Sequence, residues 1–427
     1  MKTGSVLLAL LLLGSSTPRA QELRLRLDGS RAGETLGATV AAVPDLDRDG
    51  VPEILAGAPQ DDFVTGSAYV YSGSTGAVDL ELDPVEIRGL FGGSLAPVGD
   101  LDGDGIPDLI VGAPFTTRPE AYGVGSVLVF SGATGALIYN FLGTEGGTYM
   151  GWSVAGLGDL DGDGIPEIAI GTPYASVGGN IGVGNVAIRS GATGELVYLL
   201  EGQQVGDFLG WSVAAIGDLD GDGVPDLLLG APNASPAGVP QAGNIEARSG
   251  ATGELLYRIE GVEPAAYFGK TLASLGDIDG DAIDDFVVGA PGASPDRKTQ
   301  AGSAFLFSGV NGRLLHRFDG NAAFDEFGGS VAGGGDVDGD GIGDVAIGAP
   351  SSSPDGKVGA GTAFVFSGAT LDLLFTIDGE TRGDDLGRSV AILGGLEKRW
   401  KAGVAFGAPY ASPGGIDGAG SIYVLSY

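Results

Sequence analysis

Short acidic loops carry the residues whose types and spacing could do chemistry. One reads GDLDGDGIPD and places carboxylates at Asp100, Asp102, Asp104 and Asp108. With Asp100 as position 1, side-chain oxygens stand at positions 1, 3, 5 and 9, and Ile106 at position 7 can offer its backbone carbonyl. Calcium takes six to eight oxygen ligands in flexible geometry, whereas magnesium demands a stricter octahedron and keeps more water. The pattern therefore predicts a calcium site.

The same pattern occurs in six loops, and a carboxylate occupies every position 1, 3, 5 and 9. Carboxylates crowded in this way would repel one another strongly without a cation. We therefore expect up to six calcium ions and no other cofactor. The predicted ligands, with position 7 acting through its carbonyl, are Asp45, Asp47, Asp49, Val51, Glu53; Asp100, Asp102, Asp104, Ile106, Asp108; Asp159, Asp161, Asp163, Ile165, Glu167; Asp218, Asp220, Asp222, Val224, Asp226; Asp277, Asp279, Asp281, Ile283, Asp285; and Asp336, Asp338, Asp340, Ile342, Asp344.

Two alternatives explain these loops less well. An Asp-Gly hairpin turn needs only one or two acids. An EF-hand or dockerin loop needs a glutamate at position 12 and flanking helices, but position 12 is apolar in every loop, from Ala56 to Ile347. Position 6 is glycine except at Ala282, so we expect the fifth loop to bind most weakly. A seventh copy offers only Gly395, Glu397, Arg399 and Gly403, and it is predicted to bind no calcium.

The loops belong to a repeated unit of about 59 residues. Successive first aspartates are separated by 55 residues once and then by 59. Each copy has short apolar runs bounded by glycine and proline, which predict strands. In the fourth copy these are WSVAAIG, PDLLLGAP and GNIEARSG, together with LVYLLEG read from before the loop. SGATGEL predicts a tight hairpin. A unit is therefore predicted to be a four-stranded antiparallel sheet.

Seven such sheets predict an all-β, seven-bladed β-propeller over residues 21–427. The last copy ends at its third strand, SIYVLSY. A matching fourth strand, LRLRLDG, lies at residues 23–29. We expect this N-terminal strand to close the ring by completing the last blade.

Composition indicates an exported protein. Residues 1–20 are predicted to be a signal peptide, with Lys2 followed by the apolar run VLLALLLLG. The absence of cysteine excludes disulfides and thiolate metal sites, and the net charge of −33 argues against nucleic acid as a partner. We expect a secreted monomer, extracellular, periplasmic or at the cell surface, without membrane insertion.

The chain resembles the FG-GAP repeats of the integrin alpha N-terminal propeller. Gly-Ala-Pro recurs from residues 57–59 to residues 407–409, and Phe-Gly is literal at Phe91, Phe268 and Phe327. The resemblance implies seven blades with calcium in the loop between strands one and two. It suggests adhesion by analogy, in a stand-alone exported version of the kind found in bacteria.

The leading functional hypothesis is a non-catalytic binding module for a protein or glycan ligand. The ligand would meet the loops between strands two and three of a blade (the 2–3 loops) and those from the fourth strand to the first strand of the next blade (the 4–1 loops). Both lie on the face opposite calcium, where loop sequences vary most. The single histidine, His316, lies in an outer strand, and no first strand contains an acid, so catalysis is not expected. A passive structural envelope protein and a hydrolase-associated propeller are the alternatives. Trp152 and Trp211 are interpreted as packing residues. Candidate contacts are Phe63, Phe115, Tyr122, Tyr174, Tyr410, Arg118, Arg297 and Lys298.

Overall fold

Each apolar run forms a strand, and the strands assemble into four-stranded antiparallel sheets. The computed structural model describes residues 21–59, 65–84, 89–394 and 402–427. These residues contain 28 strands in seven sheets, with strand order following the chain in six of them. The predicted seven-bladed propeller is therefore confirmed. The predicted signal peptide lies outside the described residues.

Blades are numbered by the acidic loop that they contain. Their strands are β2 (Thr39–Val43), β3 (Glu53–Ala58), β4 (Ser67–Tyr71) and β5 (Val78–Leu82) in blade one; β6 (Ser94–Val98), β7 (Asp108–Ala113), β8 (Ser126–Phe130) and β9 (Leu137–Leu142) in blade two; β10 (Ser153–Gly156), β11 (Ile168–Thr172), β12 (Asn185–Arg189) and β13 (Leu196–Glu201) in blade three; and β14 (Ser212–Ile216), β15 (Asp226–Ala231), β16 (Asn244–Arg248) and β17 (Leu255–Glu260) in blade four. The remaining blades comprise β18 (Thr271–Gly276), β19 (Asp285–Ala290), β20 (Ser303–Phe307) and β21 (Leu314–Asp319) in blade five; β22 (Ser330–Gly333), β23 (Val345–Ala349), β24 (Thr362–Phe366) and β25 (Leu373–Asp378) in blade six; and β26 (Ser389–Leu393), β27 (Gly403–Ala408), β28 (Ser421–Ser426) and β1 (Glu22–Asp28) in blade seven.

One strand grouping from the sequence is wrong. The run LVYLLEG was assigned to the fourth unit, but β13 pairs with β12 in blade three. The fourth strand of blade four is instead β17, which follows the acidic loop and pairs with β16. The physical reason is the tight SGATGEL hairpin, which returns each chain directly onto the strand before it.

The ring closes through the N-terminal strand, as predicted. β1 pairs antiparallel with β28, with Leu27 opposite Ile422. Leu27 is buried and packs in a cluster with Leu36, Ile54 and Ile422, which joins blade seven to blade one. Closure therefore rests on both a hydrogen-bonded strand pair and an apolar interface.

The core lies between neighbouring blades. Second strands are buried along their whole length, as in β3, β7 and β15. One glycine recurs eight residues before position 1 of each copy and is called here the repeated glycine: Gly37, Gly92, Gly151, Gly210, Gly269, Gly328 and Gly387. The residue before it packs between blades, as Phe91 does, which is fully buried against Leu109 and Phe130. Burial on both faces explains why these runs read as continuous apolar segments rather than as alternating ones.

The first strands of the seven blades line a central channel. Seven hydrogen bonds between neighbouring blades, called here the belt, encircle it. In each blade, the hydroxyl of a serine or threonine near the start of the first strand donates to a glycine carbonyl of the next blade. Ser212 Oγ donates to Gly269 O at 2.7 Å, and Ser389 Oγ closes the belt on Gly37 O at 2.8 Å. The other donors are Thr39, Ser94, Ser153, Thr271 and Ser330.

The first strands connect two distinct faces. In blade one, Thr39 pairs with Gly57 at one end, and Val43 pairs with Glu53 at the other. The acidic loop joins the second pair, whereas the 2–3 loop leaves from the first. The acidic loops and the 2–3 loops therefore lie on opposite faces, as predicted. Within the described residues, no helix is long and apolar enough to cross a membrane.

Candidate metal centres and the opposite face

Each acidic loop joins the first two strands of its blade, and its own carboxylates fold it. In blade four, Asp218 Oδ1 accepts from Gly221 N at 2.7 Å, and Asp218 Oδ2 accepts from Gly223 N at 2.8 Å. Asp222 Oδ1 accepts from Val224 N at 2.8 Å. These short-range bonds to backbone amides are typical of aspartate in turns and wind the loop around its acidic side chains. The amide bonds lower the pKa of Asp218, led by the one from Gly223.

The fold brings most of the predicted side-chain ligands together, whereas position 5 of loops two to five (Asp104, Asp163, Asp222 and Asp281) stays outside the groups. Oxygens from positions 1, 3 and 9 lie within 4.8 Å of one another in loops two to five, and in loop one Asp49 at position 5 joins them. In the sixth loop, Asp336 and Asp344 accept the same backbone hydrogen bonds. The grouped residues are Asp45, Asp47, Asp49 and Glu53; Asp100, Asp102 and Asp108; Asp159, Asp161 and Glu167; Asp218, Asp220 and Asp226; and Asp277, Asp279 and Asp285.

Position 9 differs between aspartate and glutamate loops. Asp226 uses both oxygens, accepting from Leu219 N at 2.7 Å and from Gly250 N at 2.9 Å. Glu53 and Glu167 also accept from an amide through Oε2, but their buried Oε1 atoms have no hydrogen-bond partner. The longer side chain thus leaves one buried oxygen without a partner. An unpaired buried oxygen is costly, and a cation would satisfy it.

Burial makes the position-9 carboxyls resist ionisation. It raises the pKa of Glu53 and Glu167 to about 7, and the nearby aspartates of each loop add to the rise. Burial also raises the pKa of Asp108 and Asp226 to about 6, against the lowering effect of their amide hydrogen bonds. A bound cation would favour the ionised forms.

The residues present fit calcium. Two ligands on one ion, each at about 2.4 Å, stand at most about 4.8 Å apart, so the grouped oxygens can share one cation. All side-chain donors are carboxylate oxygens, the hard ligands that calcium and magnesium prefer, without nitrogen or sulfur. Asp220 and its counterparts would hold the ion and neutralise its charge. The chemistry supplied by the ion would be cross-linking of the two strands, not activation of a substrate.

The fifth loop departs from the others in two ways. Ala282 has φ of 71°, a left-handed conformation that glycine adopts at this position in the other loops. Arg313 Nη2 also lies 3.2 Å from Asp279 Oδ2, where it competes for a predicted ligand. The first loop has its own strained residue, Arg48, with φ of 63°. Sequence reasoning identified Ala282 but missed Arg313, which comes from a hairpin more than thirty residues away.

The opposite face carries an aromatic cluster that the sequence did not group. Phe115 and Tyr174, both predicted contacts, pack with Trp152 and Trp211. The two tryptophan rings lie 4.7 Å apart between centroids. Tyr149 and Phe208 complete the cluster.

The other predicted contacts do not join this cluster. Tyr122 and Tyr410 are 65% and 43% exposed. Arg297 is exposed and Lys298 and Arg118 are half-buried. Phe63 and residues 395, 397 and 399 of the seventh copy lie outside the described residues, and Gly403 begins β27. His316 lies in the outer strand β21, as predicted, with its ring 4.5 Å from that of Phe318.

Comparison with known proteins agrees with this geometry. The FG-GAP repeat family matches residues 36–79, 91–130, 150–188, 209–245, 268–307 and 327–366. The chain belongs to the FG-GAP repeat family. Each matched range begins just ahead of a first strand, contains one acidic loop and reaches at least the third strand, so one family repeat lies within one structural blade.

Integrin alpha chains are among the similar proteins. This FG-GAP chain is 32% identical to integrin alpha-5 of Xenopus laevis over 219 residues, 47% of this chain and 20% of that protein. It is 32% identical to integrin alpha-PS2 of Drosophila melanogaster over 254 residues, 53% of this chain and 18% of that protein. It is 32% identical to integrin alpha-V of Gallus gallus over 216 residues, 47% of this chain and 20% of that protein. The matched region thus spans about a fifth of these relatives, and the chain is an integrin-alpha-like FG-GAP propeller.

Proposed function

We propose that this chain is a secreted, calcium-binding FG-GAP propeller that acts as a non-catalytic binding or cell-adhesion module. The observation that carries the proposal is the clustering of carboxylate oxygens within 4.8 Å in successive blades of an integrin-alpha-like fold. The mature propeller would comprise residues 21–427. Its ligand, a protein or a glycan, would meet the face formed by the 2–3 and 4–1 loops.

Calcium would serve as the cross-link that this cysteine-free chain lacks. Each site bridges the ends of two strands, so an ion that binds only the folded state stabilises it. One site contributes about 2.7 kcal/mol when calcium is at a hundred times its Kd, and several sites add. Removal of calcium is therefore expected to lower the melting temperature markedly.

Calcium binding is tested first on chelator-stripped protein. Calorimetric titration with calcium chloride should show up to six sites, and magnesium chloride should bind more weakly. Asp218→Asn combined with Asp220→Asn should remove one site, whereas the matched change Asp296→Asn in an exposed 2–3 loop should remove none. An unchanged melting temperature in chelator would contradict a structural role for the ion.

Ligand binding is tested with an array of glycans and matrix proteins, probed in calcium and in chelator. A calcium-dependent signal would support the adhesion module. A silent array with folded, calcium-loaded protein would favour the alternative of a passive structural envelope protein.

A further inference from the structure

The channel opens on the face of the 2–3 loops through a mouth lined by one residue from each blade. This residue immediately follows the repeated glycine, and in six blades its amide is held by a turn hydrogen bond, as from Arg388 N to Asp385 O at 3.0 Å. The mouth surrounds a wide-open cavity of about 290 Å³. In blade order the seven mouth residues are Ala38, Gly93, Trp152, Trp211, Lys270, Gly329 and Arg388.

Two of the mouth residues are cations in a protein of net charge −33. Lys270 is half-buried, and burial is the main cause that lowers its pKa. The charge of Glu326 raises this pKa, and the charge of Arg388 lowers it further. Among the described residues, no hydrogen bond or ion pair joins the Lys270 ammonium or the Arg388 guanidinium to a carboxylate. Their charges act on Glu326 and Asp385 only at longer range. Arg388 is exposed, whereas Lys270 is partly desolvated without a hydrogen-bonded anion, an unfavourable state that an anionic group at the mouth would relieve.

At the mouth position between the two cations, blade six has Gly329, so no mouth side chain separates Lys270 from Arg388. Glu326, three residues earlier, acts on Lys270 at longer range. Trp152 and Trp211 occupy the other side of the cavity, backed by the aromatic cluster of blades two to four. Rigid aromatic faces held by neighbouring rings provide an apolar surface at little entropic cost.

The hydroxyl belt lies beneath these residues and lines the same cavity. Each hydroxyl already donates its proton to a carbonyl, as Ser153 Oγ does to Gly210 O at 2.8 Å. A hydroxyl that donates once keeps lone pairs able to accept. The cavity floor therefore offers acceptors, which suit a ligand rich in hydroxyl groups.

We propose that the mouth binds a carboxylated sugar, a uronic acid unit at the end of an oligosaccharide. Its carboxylate would lie between Lys270 and Arg388, one ring face would pack against Trp152 and Trp211, and its hydroxyls would donate to the belt. At about 290 Å³, the cavity has room for one sugar ring. The acidic remainder of the protein would repel a polyanion, which favours a single terminal charge. This inference names the ligand class for the binding face of the proposed function and rests on it.

The test is titration of the calcium-loaded protein with the methyl glycosides of galacturonic and glucuronic acid, followed by calorimetry and saturation-transfer NMR. Methyl galactoside and the methyl ester of the uronate are the uncharged comparisons. We expect the uronates to bind at least about tenfold more tightly than the uncharged sugars, since bidentate and charge-assisted hydrogen bonds are lost in the latter. Raised salt should weaken the uronate selectively.

Variants assign the site. Lys270→Gln with Arg388→Gln should lower uronate affinity at least about tenfold. Lys357→Gln with Arg382→Gln makes the same change of charge outside the mouth, at residues not predicted as ligand contacts, and it should leave uronate affinity unchanged. Trp211→Leu should weaken charged and uncharged sugars alike, because it removes the shared apolar contact.

Several results would overturn the inference. These are equal binding of uronate and methyl galactoside, insensitivity to the Lys270 and Arg388 changes, or tighter binding of an acetylated aspartyl dipeptide, which would indicate a protein side chain as occupant. Absence of uronate binding while calcium still binds and the array gives a signal would reject this ligand class alone. Failure of calcium binding together with a silent array would instead reject the proposed function.

Discussion

Exchange of the position-6 residue between loops four and five tests the reasoning from backbone to metal site. Ala282 has φ of 71°, and its counterpart Gly223 has φ of 88°. Left-handed backbone costs an L-residue about 1–2 kcal/mol. Glycine loses about 0.5–1 kcal/mol more conformational freedom on folding than alanine. Ala282→Gly should therefore stabilise the calcium-loaded protein by about 0.5–1 kcal/mol.

The reverse change is a matched control because its effect is confined to the backbone. A Cβ placed on Gly223 would meet no heavy atom within 4 Å, so Gly223→Ala introduces no steric clash. It should destabilise the protein by a similar 0.5–1 kcal/mol, roughly. The double variant should return close to the starting stability, since effects at separated sites add.

The assay is urea denaturation in calcium and in chelator, combined with calorimetric titration of calcium. Strain that is present only in the calcium-bound loop would appear as a roughly two- to fivefold tighter fifth site in Ala282→Gly. Strain present before binding would appear instead as greater stability in chelator. If neither quantity changes in either variant, position 6 does not require left-handed backbone and the explanation of the weak fifth site is wrong.

Three further predictions follow from the described contacts. Ser389→Ala removes the hydroxyl that closes the belt on Gly37 O and should destabilise the protein by about 1 kcal/mol in thermal or urea unfolding, whereas Ser426→Ala near the outer edge should have a smaller effect. Removal of residues 21–28 exposes β28 and the cluster around Leu27; it should lower the melting temperature sharply, and an unchanged melt would show that this strand does not close the ring. Burial, with Glu326 and Asp384, raises the pKa of Asp385 to about 6, against the lowering effect of Arg388. Because this folded-state pKa lies above the unfolded value, the free energy of unfolding should fall as pH rises from about 4 to about 6, and Asp385→Asn should reduce that fall by on the order of 1 kcal/mol.

The repeat made most of the fold predictable from the sequence. Seven copies of one strand pattern indicate seven identical sheets, and the unpaired run at residues 23–29 indicates how the ring closes. The error over LVYLLEG came from choosing where a unit begins, which periodicity alone does not determine. Pairing is decided by the hairpin, and β13 follows β12 through it.

The loop carboxylates were predictable because their chemistry is local: all four positions lie within nine residues. Features that join distant segments were not predicted. Arg313 reaches Asp279 from a hairpin 34 residues further along the chain, and each belt bond links residues at least 53 positions apart. A sequence signal for the belt exists, since serine or threonine recurs two positions after every repeated glycine. The hydrogen-bond partner of each hydroxyl is known only from the arrangement of the blades, because a serine at a strand start has many possible partners.

In blade five, one strand joins the mouth to the acidic loop. Lys270 at the mouth and Asp277 in the acidic loop flank β18, so one six-residue strand separates them. This blade also has the loop with Ala282 and the competing Arg313, which should fill at the highest calcium concentration. If ordering of that loop fixes β18, and with it the position of Lys270, uronate affinity should rise over the calcium range in which the fifth site fills. Ala282→Gly should then shift the calcium midpoint for uronate binding to lower concentration by about two- to fivefold. If the fifth site is tighter in Ala282→Gly but the calcium midpoint for uronate binding is unchanged, the two sites are not coupled, because a tighter metal site must act on any ligand site coupled to it. The mouth would then be rigid without calcium in blade five.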